Sequence, residues 1–299
     1  MRESAKREGA GSEAPIRVVT AAALFDGHDA AIHVMRRLLQ AKGAEVIHLG
    51  HDRSVEDLVE AAVEESADAV AVSSYQGGHI EFFSYLVSRL AQAGASSVRV
   101  YGGGGGTIAP EEIQLLERTG VARIFSPEDG RTLGLDGMIE SIVQDCRAAR
   151  RARDVDPAQG LLELASQLNP DRPIEIARLI RFFEDHADTH KDEADALRAV
   201  LAGRATRPTP VVGFTGTGGA GKSSVVDEIV LRLRRDAPGI RIAMLLVDPT
   251  RRRSGGALLG DRIRMNAISG REVFVRSMAT RRAHLSLSAC VGDALAVLR

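Results

Sequence analysis

Between residues 16 and 146, five short apolar runs alternate with amphipathic stretches, and that alternation leaves few folds open. The runs are IRVVTAAAL (16–24), AEVIHLG (44–50), ADAVAVSS (67–74), SVRVYG (97–102) and ARIFS (122–126). Between them, apolar residues recur at helical spacing. In AAIHVMRRLLQAKG (30–43), Ile32, Met35, Leu38 and Leu39 share one face and Gly43 supplies the stop. SVEDLVEAAVEES (54–66) opens on a Ser54 cap with an acidic first turn, which suits the positive end of a helix. Further helices are predicted over 79–93, 110–118 and 134–149. The run 67–74 is nearly continuous rather than alternating, as in a strand buried on both faces. Strand–helix repetition of this kind produces a parallel sheet with helices on both faces. The expectation is an α/β, flavodoxin-like (Rossmann-like) domain over 16–146.

The remainder divides differently. Residues 1–15 are polar, lack the apolar core of a signal peptide and read as a disordered leader. Residues 147–208 contain no strand-like run; they read as a helical linker with amphipathic helices at 174–187 and 191–203. The Arg-rich CRAARRARD (146–154) reads as a solvated helix face. From 209 to 299 a strand (PVVGFTG), a helix (222–235) and a strand (241–248) predict a second α/β domain. A net charge of −1 gives no bulk attraction to nucleic acid, and 4% aromatics leave no stacking platform for single strands. No run reaches the roughly 18 apolar residues of a spanning helix. Cys146 and Cys290 fit no metal or disulfide spacing, which predicts a reducing, cytoplasmic setting.

GTGGAGKS, Gly216 to Ser223, matches the phosphate-loop pattern, with a strand (VVGFT) expected before it and a helix after it, the context the pattern requires. Gly216, Thr217, Gly218, Gly219, Ala220 and Gly221 let backbone N–H groups turn toward a polyphosphate, and Ser223 and Ser224 open the helix whose dipole faces it. Lys222 is expected on the terminal phosphates, and the Ser223 hydroxyl on Mg²⁺. Asp248 closes the following apolar strand on the same edge and is the expected second Mg²⁺ ligand; Thr250 sits where a nucleotide-sensing switch belongs. A further strand with its acidic residue, and a base-reading segment, are missing after it. The chain therefore reads as a piece of a longer protein, and the choice of GTP over ATP does not follow from the residues present.

LFDGHDAAIHVM (24–35) puts Asp26, Gly27 and His28 at the end of the first strand. In doubly wound sheets ligands bind beyond the carboxyl ends of the strands. A carboxylate bonded to one imidazole nitrogen makes the other a better metal donor, so the pair suits an axial ligand or an acid–base histidine. The third strand ends at Ser73-Ser74, and the fourth runs into Gly102–Gly106. Five glycines in a row carry an entropic penalty that makes sense when an extended ligand lies against bare backbone.

Asp-x-His at 26–28, a serine after the third strand and the glycine run after the fourth resemble the cobalamin-binding domain of adenosylcobalamin-dependent mutases. The resemblance implies that His28 replaces the cofactor's own base beneath cobalt and that Asp26 holds His28. It further implies that Ser73, with Ser74, contacts the displaced base, and that Gly104, Gly105 and Gly106 line the nucleotide-tail channel. Ala31 stands where that family has glycine, a difference that bears on tail geometry rather than on cobalt. FTGTGGAGKSS, VDPT and GGALLGDRIRM are similar to the GTPase chaperones of these mutases, and a cobalamin domain followed by that G domain is the order of the fused isobutyryl-CoA mutases.

The resemblance implies radical interconversion of isobutyryl-CoA and n-butyryl-CoA with adenosylcobalamin, GTP and Mg²⁺. The acyl-CoA substrate would sit on a C-terminal barrel outside this chain, the protein would be a homodimer, and this piece would bind cofactors without isomerase activity. Two alternatives stay open at this point. One is another fused acyl-CoA mutase, acting on methylmalonyl or hydroxyisobutyryl groups. The other is a flavodoxin-like sensor tethered to an ATPase, against which the third strand ends in serines rather than a phosphoaccepting carboxylate.

Overall fold

The computed structural model describes residues 13–27, 30–204, 208–250, 254, 256–281 and 290–299. The leading segment runs β1 (Arg17–Ala23), α1 (Ala30–Ala41), β2 (Glu45–Arg53), α2 (Val55–Glu64), β3 (Ala69–Ser73), α3 (His79–Gln92), β4 (Arg99–Gly103), α4 (Pro110–Arg118), β5 (Arg123–Phe125), α5 (Pro127–Thr132) and α6 (Gly134–Arg153). Its strands pair in parallel in the order β5-β4-β3-β1-β2, so the tips of β1, β3 and β4 lie side by side at one edge. The alternating apolar and amphipathic runs therefore give the α/β parallel sheet expected of them.

Local chemistry accounts for these elements. The Ser54 hydroxyl accepts the Asp57 N–H while the Asp57 carboxylate accepts the Ser54 N–H, a closed capping box at the start of α2. Every residue of β3 is buried, as its unbroken apolar run requires. Val19, Ile47, Val70, Phe83 and Leu86 build the core under α2 and α3, and Val18, Leu39, Val46, Ile139 and Ile142 build the core under α1 and α6. A Cβ on Gly102 would lie 2.5 Å from Phe83 Cζ and from Ile124 Cδ1, so glycine is what lets α3 press flat on β4.

The second part contains α7 (Leu161–Ser166), α8 (Pro173–Asp185), α9 (Lys191–Arg204), α10 (Lys222–Asp236), β6 (Ile242–Asp248), β7 (Ala257–Leu259), β8 (Val273–Ala279) and α11 (Val291–Leu298). β6 and β8 pair in parallel from Ile242 opposite Val273 to Asp248 opposite Ala279. One face of that pair packs on α8, α9 and α11 through Phe274 and Met278, and the other meets α10 through Met244 and Val275.

Five features differ from the sequence reading. A further strand does follow β6: β8 pairs with it in parallel, its spaced apolar residues broken by Arg276 and Ser277, and it ends in Ala279 rather than in an acid. Residues 208–217 form no strand; Val211, Val212 and Phe214 are exposed. Apolar pattern alone does not make a strand, which needs a neighbour for its backbone groups, and this segment joins no ladder. β7, from the second half, instead pairs with β2 as a sixth strand of the leading sheet, with Glu45–Ile47 opposite Ala257–Leu259. The helix expected to end at 149 continues to Arg153, and Arg150 is buried rather than solvated. Arg150 lies four residues after Cys146 on the stripe of Ile139, Ile142 and Val143, which turns it inward. Finally, Glu13–Pro15 are tied down: Arg150 donates to the Ala14 and Pro15 carbonyls at 2.7 and 2.9 Å, and Arg151 to Glu13.

The sheet edge opposite the tips of β1, β3 and β4 is sealed by buried charge. Arg17 is fully buried; its guanidinium donates to Glu45 Oε2 at 2.8 Å, to the Glu65 carbonyl at 3.1 Å and to the Ser277 carbonyl at 2.5 Å. Arg281 donates to Glu45 Oε1 at 2.7 Å and to Asp185 Oδ1 at 2.6 Å, and Arg262 to Glu64 Oε2 at 2.6 Å. Burial pushes Glu45 up, but Arg281 and Arg17 overcome it and hold the carboxyl at about 2 against an ordinary 4.5. Burial also pushes Asp185 up, and Arg181 and Arg281 hold it well below its usual range. A carboxyl depressed by folding stabilises the fold above its unfolded pKa and loses that contribution as pH falls. As these carboxyls protonate, the thermal midpoint should drop steeply from pH ~5 toward pH ~2, the two halves melting together. A midpoint unchanged down to pH ~3 would contradict this assignment.

Candidate functional site

The chain leaves β1 through Leu24, Phe25 and Asp26. Phe25 has φ 63, left-handed and rare for an aromatic residue, and its N–H is held by Asp52 Oδ1 at 2.7 Å. Asp26 is 2% exposed, and its Oδ2 accepts the Tyr75 N–H at 2.6 Å. That bond fixes the carboxylate from the neighbouring loop. Gly27 is exposed, with open space where a Cβ would stand. His28, the expected cobalt ligand, lies outside the described residues.

Ser73 and Ser74 are buried at the tip of β3, and neither hydroxyl has a hydrogen-bond partner among the described residues. The Ser74 N–H donates to the Gly103 carbonyl at 2.8 Å, and the Gln76 amide donates to the Leu24 carbonyl, so the three loops are laced together. A Cβ on Gly104 would stand 1.9 Å from the Ser74 carbonyl oxygen. Gly105 has φ 58 and faces the Tyr75 ring, while Gly106 has nothing within 4 Å. The five glycines are thus not equivalent. Packing within the chain requires Gly102 and Gly104, and Gly106 offers open backbone.

Beside these loops a cavity of about 340 Å³ runs between the strand tips and α1 and α6. Its walls are chiefly apolar, including Ile32, Met35, Phe125, Met138 and Ile139, with Ser73 and Gly102–Gly105 at the strand tips. Ala31 also lines it, so the methyl group where the family has glycine faces this space. An apolar slot with a few orienting polar groups suits a flat heteroaromatic ring, and the Ser73 hydroxyl is a free orienting group. These residues fit cobalamin's displaced base and tail. The sequence reading missed the Tyr75 N–H bond to Asp26; no residue-type signal marks a backbone donor.

The phosphate loop leads into α10, which begins at Lys222. Gly219 and Gly221 both have φ 81, a conformation that the loop reversal demands and side chains resist. Lys222 Nζ donates to the Gly216 and Thr217 carbonyls, each at 3.0 Å, folding over the concavity a phosphate would enter. The Ser223 hydroxyl meets Asp261 Oδ1 at 3.4 Å. Burial, then the Asp261 charge, push Asp248 up to about 6, and its Oδ2 is buried without a partner among the described residues. One hydroxyl and two crowded carboxylates, left to be completed by phosphate oxygens and water, match the demands of Mg²⁺. Asp261 is a further functional candidate that the sequence reading left without a role. Its signal is an acid directly after the short apolar ALLG run. Among the described residues no helix is long and apolar enough to cross a membrane.

Residues 16–133 match the B12 binding domain family, and residues 176–299 match the family described as methylmalonyl Co-A mutase-associated GTPase MeaB. Fold and sites together define a B12-binding domain joined to a GTPase domain. The chain is 57% identical over 90% of its length to a fused isobutyryl-CoA mutase of Nocardia farcinica (strain IFM 10152), and covers 24% of that protein. It is 50% identical over 95% of its length to one of Geobacillus kaustophilus (strain HTA426), of which it covers 26%. The small subunit of 2-hydroxyisobutanoyl-CoA mutase of Aquincola tertiaricarbonis is 31% identical and is covered over 98% of its length by 47% of this chain. The chain is thus similar over nearly its whole length to one part of the fused isobutyryl-CoA mutases. It spans about a quarter of the length of the fused relatives.

Proposed function

We propose that this chain is the cofactor-holding and GTP-gated portion of an adenosylcobalamin-dependent mutase that interconverts isobutyryl-CoA and n-butyryl-CoA. Residues 16–146 form the cobalamin domain, 147–208 the helical linker and 209–299 the GTPase portion. The acyl-CoA partner surface lies outside this chain, and the protein works as a cytoplasmic homodimer. The observation that carries the cobalamin reading is the buried Asp26 fixed by Tyr75, beside an apolar cavity lined by Ser73, whose hydroxyl has no partner among the described residues.

When bound, the cofactor supplies a radical by homolysis of its cobalt–carbon bond. Every other role belongs to the protein. His28 would hold cobalt, with Asp26 and Gly27 shaping its turn. Ser73 and Ser74 would meet the displaced base, and Gly104, Gly105 and Gly106 would flank the tail. The apolar walls keep water from the base. Residues Gly216–Ser224 hold GTP, with Lys222 on its terminal phosphates; Ser223 and Asp248, joined by Asp261, bind Mg²⁺. Identity of 57% with a fused isobutyryl-CoA mutase supports that substrate over the alternatives.

The test is a cobalamin titration followed by absorbance and by electron paramagnetic resonance of the cob(II)alamin form. The expected spectrum carries imidazole nitrogen coupling, which His28→Ala removes. A cofactor that keeps its own base on cobalt in the unaltered protein would reject this role for His28.

A further inference from the structure

His79, the first residue of α3, is only 4% exposed and has an acceptor at each ring nitrogen. Nδ1 lies 3.1 Å from the Gln76 carbonyl oxygen, and Nε2 lies 3.0 Å from Glu112 Oε2. A carbonyl oxygen only accepts, and an ionised carboxylate only accepts. The ring therefore meets an acceptor on each side and ties the Gln76 carbonyl after β3 to Glu112 of α4. The same Glu112 oxygen accepts the Ala109 N–H at 2.7 Å and caps α4. The Ala109 N–H first, and His79 second, hold the Glu112 carboxyl below its ordinary range.

These contacts form one run. The Gln76 amide reaches the Leu24 carbonyl after β1, the Gln76 carbonyl takes His79, His79 takes Glu112, and Glu112 takes Ala109 at the end of the glycine loop. The run therefore crosses the loops that follow β1, β3 and β4. None of these residues lines the cavity, which opens on the α1 and α6 side. They brace the loops from behind.

We propose that His79 and Glu112 are positioning residues, a hydrogen-bonded staple that sets the spacing of the β3 and β4 loops around the nucleotide tail of cobalamin. The inference rests on the cobalamin reading above. It separates two parts of the cofactor. Cobalt is met by the turn after β1, whose Asp26 is held independently by Tyr75. The tail lies between the loops that the staple spans. Loss of the staple loosens the tail and leaves cobalt ligation intact.

The test uses the full-length protein with His79→Gln, Glu112→Gln and the double variant. Dissociation constants are measured for cobalamin and for cobinamide, the same corrin without the nucleotide tail. Each single variant is expected to weaken cobalamin binding by about tenfold, the scale of lost supporting contacts at a cofactor site. The double variant should lose little more than either single change, because both remove one interaction. Cobinamide affinity and the imidazole nitrogen coupling of bound cob(II)alamin should stay at the unaltered values. Glu112 is on the surface of α4 and half-exposed, so its variant folds even where the His79 change harms the core. Equal losses for cobalamin and cobinamide, or additive losses in the double variant, would overturn the staple. An unaltered protein that binds neither corrinoid would remove the cobalamin reading itself and the staple with it.

Discussion

Arg17→Ala is expected to destabilise the fold by about 3 kcal/mol, at the lower end of the range for breaking a buried ion pair. The guanidinium is fully buried, and its partners come from β2, from the end of α2 and from β8. Removing it leaves Glu65 and the Ser277 carbonyl facing a void and Glu184 short of one cation at 3.5 Å. The effect stays at the lower end because Arg281 still meets Glu45 and Arg276 still meets Glu184. Against a typical stability of about 5–15 kcal/mol this is a large fraction. Denaturant unfolding measures it, and the leading sheet and the β6–β8 pair should lose their signals together. A loss under about 1 kcal/mol would mean that water replaces the guanidinium, and that the network does not hold the halves together.

Gly104→Ala is expected to abolish cobalamin binding, with an affinity loss beyond about a hundredfold, while Gly106→Ala, whose Cβ would meet only the tail, costs about tenfold. A Cβ at residue 104 would stand 1.9 Å from the Ser74 carbonyl oxygen and 2.9 Å from Thr107 Oγ1. Ser74 is not free to yield, because its N–H is bonded to the Gly103 carbonyl at 2.8 Å. The β4 loop must then move off the β3 loop, widening the cavity mouth that both form. At residue 106 a Cβ meets nothing within 4 Å. Calorimetric titration of both variants with cobalamin separates them. Equal affinities would show that the glycine run acts as a flexible tract rather than through one close approach.

Much of the leading fold was legible because it rests on local rules. The unbroken ADAVAVSS run is a strand buried on both faces, and SVED closes a capping box at Ser54 and Asp57. The phosphate loop was legible because its spacing is a backbone requirement, seen here in Gly219 and Gly221 at φ 81. The PVVGFTG segment shows where such reading fails: its apolar residues stand exposed because no strand pairs with them. Arg150 shows the opposite failure. An arginine-rich stretch reads as solvated, yet one arginine falls on the buried stripe and finds Asp68 at 3.0 Å.

Asp26 and the strand-tip serines could be named as site candidates from sequence because topology sends every strand end of a parallel sheet to one edge. The donor that fixes Asp26 could not be named, since the Tyr75 N–H is 49 residues away and carries no side-chain signature. Sequence by itself determined the helical and strand periods, the loop chemistry and the residue types at the sheet tips, all of which depend on near neighbours along the chain. Only the tertiary structure decided which charges are buried together and which strand joins which sheet. Arg17 is matched by a carbonyl 260 residues away, and β7 crosses over to β2. Pairing energies of that kind depend on distances in space, which no local pattern encodes.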